Sequence, residues 1–168
     1  QFKFSCAHFV AYAGFRERLH GHNYSVGVRL GGGARKGEDG YVIDFGDVKK
    51  ALKSVCKRLN EHLIVPMLSD VIAVSVSEAN RQLQMTCEDG AHFVLPLADC
   101  VLLPLVHSTA EELAEYLHSR LVEEIGLEKM VRRNIQWMEV TVSERPVQGS
   151  SYTAGVGDLG MSASRSSL

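Results

Sequence analysis

Along this chain the apolar residues change their spacing from every second position to every third or fourth and back, which limits it to folds where sheet and helix share one core. Phe2-Lys3-Phe4-Ser5-Cys6-Ala7-His8 alternates larger apolar groups with polar ones, the mark of a half-buried strand that ends at His8. From about His20 to Leu30, Tyr24, Val26, Val28 and Leu30 share one face, while Asn23, Ser25, Gly27 and Arg29 take the other, which predicts a second strand. Val48, Leu52, Val55 and Leu59 then fall at helical spacing, with Lys49, Lys50, Lys53 and Lys57 mostly turned to solvent, so residues 47–59 are expected as an amphipathic helix. Another helix is expected to open near Ser108, with the serine hydroxyl as its cap and Glu111 reaching back as in a capping box. It buries Leu113, Leu117, Leu121 and Ile125 and ends at Gly126. A last strand covers about Asn134 to Ser143, with Met138, Val140 and Val142 on one face.

The connections are as informative. Gly31 to Gly40 is a glycine-rich loop leading into Tyr41-Val42-Ile43 as a returning strand, and no Gly-Lys-Ser/Thr follows to make it a phosphate-binding P-loop. Residues 71–103 read as an inserted β-hairpin: Leu83, Met85 and Cys87 alternate, Asp89-Gly90 is a turn signal, and Pro96 and Pro104 bracket the exit. With 168 residues and 45% hydrophobic composition, one α+β domain is expected over residues 1–150, followed by a flexible tail over 151–168.

Charge and cysteine content exclude several classes. The 18 basic and 20 acidic residues are interspersed, which leaves no electrostatic case for nucleic acid or an anionic membrane as partner. Cys6, Cys56, Cys87 and Cys100 lie far apart, so zinc-ribbon and Cys-x-x-Cys redox chemistry have no support. No apolar run approaches the ~20 residues that cross a bilayer, and Gln1 to His8 lacks the pattern of a signal peptide. A cytoplasmic location is the expectation.

His20-Gly21-His22 carries the chemistry. Residues i and i+2 of a strand point to the same side of the sheet, so two imidazoles can lean toward one ion. A lone His-x-His is commonly a surface accident; what distinguishes this one is His8, at the end of a strand that can pair alongside and offer a third nitrogen. Three neutral histidines leave the fourth position of a tetrahedral Zn2+ open, as a catalytic site requires.

Phe4-Ser5-Cys6-Ala7-His8 and Leu19-His20-Gly21-His22-Asn23-Tyr24 resemble the opening motif and the zinc-binding His-Gly-His-Asn-Tyr of the 6-pyruvoyl-tetrahydropterin synthase family. Val42-Ile43-Asp44-Phe45, Ser108-Thr109-Ala110-Glu111 and Glu144 match the same family in order and spacing. The resemblance covers roughly residues 1–66 and 104–148. It implies a T-fold, a four-stranded antiparallel sheet made of two hairpins with two helices on one face. It also implies assembly into an oligomeric barrel, commonly a homohexamer of two stacked trimers with active sites at subunit interfaces. The metal ligands would be His8, His20 and His22, and the substrate contacts Glu144, Thr109 and Glu111.

The chain departs from the family at two places. Relatives that form the pyruvoyl product use a cysteine base shortly before His-Gly-His, where this chain has Gly14-Phe15-Arg16-Glu17-Arg18. Glu17 in the cysteine's region resembles a protozoan subgroup that cleaves the side chain of 7,8-dihydroneopterin triphosphate to 6-hydroxymethyl-7,8-dihydropterin. The family's Leu-Asp-His falls on Leu59-Asn60-Glu61-His62, so either Glu61 or His62 fills that catalytic role beside Glu17 and Glu144. Arg16, Arg18 and Arg145 are the candidates for phosphate, with plain surface charge the equal alternative. Four readings stand at this stage: the side-chain-cleaving lyase, a 6-pyruvoyl-tetrahydropterin synthase proper that eliminates triphosphate, a catalytically weak zinc- and pterin-binding hexameric scaffold, and a zinc-stabilised structural protein.

Overall fold

The computed structural model describes residues 2–32, 38–145 and 148–156. Its main sheet has six strands in the order β11-β10-β4-β1-β5-β9. Strand β1 (Phe2–His8) pairs antiparallel with β4 (His20–Gly32), and β4 pairs antiparallel with β10 (Ile135–Arg145), which pairs in turn with β11 (Gln148–Gly155). These are the two hairpins of the T-fold. Between β1 and β4 the chain makes a two-rung hairpin of its own, β2 (Ala11–Tyr12) and β3 (Phe15–Arg16), turned at Gly14 with φ 78°.

Helices α1 (Phe45–Leu59) and α2 (Ala110–Ile125) pack on one face of this sheet, with a short α3 (Leu127–Arg132) after the turn at Gly126. The inward rows Phe4 and Cys6 of β1, Tyr24 and Val26 of β4, and Met138, Val140 and Val142 of β10 meet Val55, Leu59, Leu113, Leu117 and Leu121. The period-2 and helical stripes are therefore the two halves of one core.

The observed sheet is larger than the four strands expected. β5 (His62–Pro66) and β9 (Cys100–Leu103) extend it, each parallel to its neighbour. Leu63, Ile64 and Val65 are all buried, because Ile64 faces the helices while Leu63 and Val65 face the insert. A strand covered on both faces shows no alternation, which is why the run was silent. The insert is a three-stranded meander, β6 (Ile72–Ser77), β7 (Gln82–Cys87) and β8 (His92–Pro96), rather than one hairpin, followed by a 3-10 turn at Leu97–Asp99. Leu83, Met85 and Cys87 point inward, with Phe9, Ala11, Leu63, Val65 and Ile72 completing a second small core.

Three further expectations are corrected. Tyr41-Val42-Ile43 is not a strand; it leads into α1, whose first turn is capped by the Asp44 carboxylate accepting the Gly46 amide at 2.6 Å. The cap of α2 is Thr109, whose hydroxyl accepts the Glu112 amide, and not Ser108. Glu112, not Glu111, reaches back, accepting the amides of Val106 and His107 at 2.8 and 3.0 Å. Residues 151–155, expected in a tail, form the outer part of β11, and Val156 is buried in the main core. The remainder of that expected tail, 157–168, lies outside the described residues.

Leu117 is fully buried between α2 and the sheet. Leu117→Ala is expected to destabilise the fold by about 3 kcal/mol, within the usual range for a core leucine truncation. A urea titration of the variant against wild type checks this.

Candidate metal centre and pterin cleft

Each inward row of the central strands is apolar along most of its length and changes character at the same end of the sheet. On β1, Phe4 and Cys6 are followed by His8; on β4, Val26 and Tyr24 are followed by His22 and His20; on β10, Val140 and Val142 are followed by Glu144. Antiparallel pairing of β1 with β4 sets His8 directly opposite His20 and Cys6 opposite His22. The three imidazoles form a tight triangle, with ring centroids 4.6, 4.9 and 5.2 Å apart. One ring nitrogen from each lies within 4.8 Å of the others, a spacing that could hold a metal ion.

The hydrogen bonds of the rings fit a metal. His8 Nδ1 is 2.8 Å from the carbonyl oxygen of Ser108, and His20 Nδ1 is 2.8 Å from that of Arg18. A carbonyl only accepts, so each Nδ1 carries the proton and each Nε2 keeps its lone pair. His8 Nε2 is buried with no partner, which a ligated ion would resolve. Burial lowers the His8 pKa, opposed in part by the Ser108 carbonyl, so this ring is held in the neutral form that a metal needs.

The triad opens onto a cleft of about 430 Å³ lined also by Glu17, Thr109, Glu111, Glu144 and the β11 residues Gln148 to Ser150. Glu17 is placed by a rung that continues the small hairpin: its amide donates to the Val10 carbonyl at 2.9 Å, and its Oε2 accepts the Val10 amide at 3.0 Å. Glu144 lies 3.8 Å from His22 Nε2, with both side chains largely covered. It sits at a register shift between Ser143 and Arg145, where β10 bulges against β11. By alternation Glu144 follows Val140 and Val142 on the inward face, which turns it toward the cleft.

Thr109 and Ala110 bring the N-terminal end of α2 to the cleft, while Glu111 accepts the Ser150 hydroxyl at 2.6 Å. That hydrogen bond holds the Glu111 carboxyl below its usual range. The contribution of β11 to the cleft was missed from sequence, since Gln148-Gly149-Ser150 has no apolar signal; only Gly149 hints at it, for a Cβ there would meet Ser143 Oγ at 2.3 Å. Ser108 was also misassigned: it is fully buried, its hydroxyl donating to the Phe9 carbonyl at 2.8 Å while its own carbonyl orients His8.

Glu61 and His62 are not brought to this cleft. They follow α1 on the way into β5, Glu61 at φ 63°, and line a different depression with Ser5, Leu19, Asn23 and Asp99. His62 Nδ1 is 2.7 Å from the Asn60 carbonyl. Arg16, expected as a phosphate ligand, instead pairs with Asp89 at 2.7 Å, and neither Arg18 nor Arg145 lines the cleft. No cysteine lines it either. The Cys6 thiol donates to the Leu59 carbonyl, and burial pushes it up to about 12; burial also pushes Cys56 up to about 11.

Comparison with known proteins agrees with this arrangement. The sequence matches the family described as 6-pyruvoyl tetrahydropterin synthase over residues 1–155. A crystal structure of 6-pyruvoyl tetrahydropterin synthase from Plasmodium vivax superposes with a TM-score of 0.86 at 45% identity, covering 91% of each chain. The Plasmodium falciparum 6-pyruvoyl tetrahydropterin synthase gives the same TM-score and coverage at 40% identity. Variants of the P. vivax protein have also been solved in which a glutamate described as a catalytic residue is replaced by alanine or by cysteine. A Methanocaldococcus jannaschii protein, a candidate 6-carboxy-5,6,7,8-tetrahydropterin synthase, is 31% identical over 150 residues, covering 89% of this chain and 88% of its own. The sheet, the helices packed on it and the match along residues 1–155 place the chain in the 6-pyruvoyl tetrahydropterin synthase family of pterin-biosynthesis lyases.

Proposed function

We propose that the chain is a zinc-dependent lyase acting on 7,8-dihydroneopterin triphosphate and cleaving its side chain to 6-hydroxymethyl-7,8-dihydropterin. The observation that carries this reading is the carboxylate of Glu17 in the same cleft as His8, His20 and His22, with no cysteine lining it. The catalytic glutamate named in the P. vivax relative, itself 44% identical, supports the same assignment.

The three histidines would hold the zinc. When bound, the ion supplies Lewis acidity to a side-chain hydroxyl of the substrate. Glu144 orients the ring: a dihydropterin presents a ring NH beside an exocyclic amine, and a carboxylate offers two acceptors matched to that pair. Glu17 takes the proton of the hydroxyl. The alkoxide becomes a carbonyl as the neighbouring carbon–carbon bond breaks, the electron pair passes into the dihydropterin ring, and a proton returns to the retained carbon. A carboxylate is suited to one such transfer from oxygen. Pyruvoyl formation requires repeated transfers at carbon, for which this cysteine-less cleft is poorly equipped.

A homohexamer of two stacked trimers would cover the open edges at β9 and β11. It would also let Glu61 or His62 of one subunit reach the cleft of another, which the single chain does not do. A cytoplasmic enzyme is the matching setting; among the described residues no helix is long and apolar enough to cross a membrane.

Mass spectrometry of the product decides between chemistries. A 6-hydroxymethyl product is expected, reduced ~100-fold or more in Glu17→Ala with metal content unchanged, the scale of a lost general base. A 6-pyruvoyl or 6-carboxy product from the wild-type protein would overturn the assignment. Glu144→Gln exchanges one acceptor for a donor, so calorimetry should show pterin affinity falling ~10-fold or more, as for a charged hydrogen bond worth ~1.5–3 kcal/mol. Unchanged affinity would place the pterin edge elsewhere.

A further inference from the structure

Glu17 stands at the open end of a hairpin with two register pairs, Ala11 with Arg16 and Tyr12 with Phe15, and one further tie from Glu17 to Val10. So short a hairpin does not hold its shape unaided. What covers it is the turn between β7 and β8 of the insert. Glu88 accepts the Gly14 amide at 3.0 Å, and Asp89 Oδ2 accepts Arg16 Nε–H at 2.7 Å. The same guanidinium donates from Nη1 to the carbonyl of Glu17 at 2.9 Å. It also lies 5.8 Å from the ring centroids of both Phe9 and Phe93, which stack on each other at 5.3 Å. Phe9 is the residue after His8, and Phe93 belongs to the insert.

Asp89 is itself fixed. Its Oδ1 accepts the Ala91 amide at 3.0 Å across a turn that Gly90 closes at φ 83°. One planar fork thus joins a rigid turn of the insert to the main chain of Glu17 and rests on the segment that carries His8. Asp89 is half-exposed, and an ion pair of that kind adds little to global stability. Geometry is what it can determine. A displacement of about 1 Å at a reacting group can change a rate by ~100-fold.

We infer that the insert braces the base-bearing loop, with Arg16 as the positioning residue through which Asp89 sets where the Glu17 carboxylate stands relative to the three histidines. The inference rests on reading Glu17 as the base. It gives the insert a part in the reaction without any residue of the insert touching substrate, and it explains why Arg16 is unavailable to phosphate.

Arg16→Met keeps an unbranched stem over the two phenylalanine rings and removes every donor. In the zinc-loaded protein it is expected to lower kcat ~10-fold or more with KM and bound metal unchanged, and to raise hydrogen exchange of the amides of residues 11–17. Asp89→Asn, on an exposed turn, should move the same two readouts in the same direction without altering Arg16, which covers the case of an Arg16 variant that folds poorly. In a Glu17→Ala background, Arg16→Met should cost no further activity, because its effect runs through Glu17. Wild-type kcat and wild-type exchange in both variants would overturn the brace, as would an equal loss with and without Glu17. Should Glu17→Ala itself keep full activity, the base assignment fails separately. The exchange of residues 11–17 then still decides the brace: a rise upholds it and wild-type exchange overturns it.

Discussion

The antiparallel register of β1 on β4 is the constraint on which the site depends. It sets His8 opposite His20, and the two-residue period of β4 puts His22 on the same face as His20. Because side chains alternate, a slip of one residue would turn His20, His22, Tyr24 and Val26 away from the helices together. The register is held by the apolar ends of those same rows, Phe4 stacked on Tyr24 at 4.9 Å and Val26 deep in the core. Core packing and ligand placement are thus one event: the residues that bury the sheet against α1 and α2 also bring three imidazoles to one point.

The surroundings of the triad finish what the register starts. The Ser108 carbonyl orients His8, and the Ser108 hydroxyl holds the Phe9 carbonyl, so the segment before α2 is stitched to the end of β1. One residue later, Thr109 caps α2 and leaves its N-terminal end at the cleft. That end, with a dication if the histidines hold one, would supply the positive elements of a lining that among the described residues contains Glu17, Glu111 and Glu144 and no lysine or arginine. The cleft therefore suits a neutral ring and a hydroxylated side chain; on the substrate proposed, the contacts to the triphosphate would lie beyond this lining.

Much of this was legible in the residues. Alternation over Phe2 to His8 and around Tyr24, Val26 and Val28 located β1 and β4, and the leucine stripes located α1 and α2. The histidines followed from strand geometry. Signals failed where tertiary context outweighs local pattern. Leu63-Ile64-Val65 is covered on both faces and shows no period, and β11 is an edge strand of small polar residues whose order comes from pairing with β10. Ser108 and Thr109 can both cap by chemistry, serine the better of the two; the neighbouring Phe9 carbonyl engages the serine and leaves the threonine to the helix. Arg16 looked like a phosphate ligand because its partner Asp89 lies 73 residues away, beyond any local reading.

The central claim is that His8, His20 and His22 bind one zinc ion through imidazole nitrogen and leave a position open. Zinc-edge X-ray absorption on protein holding one equivalent of zinc tests it most directly. The account predicts a shell of nitrogen and oxygen neighbours with the scattering of three imidazoles and no sulfur, reduced to two imidazoles or to free ion in His20→Ala. A sulfur neighbour, or an unchanged spectrum at full zinc occupancy in His20→Ala, would contradict it.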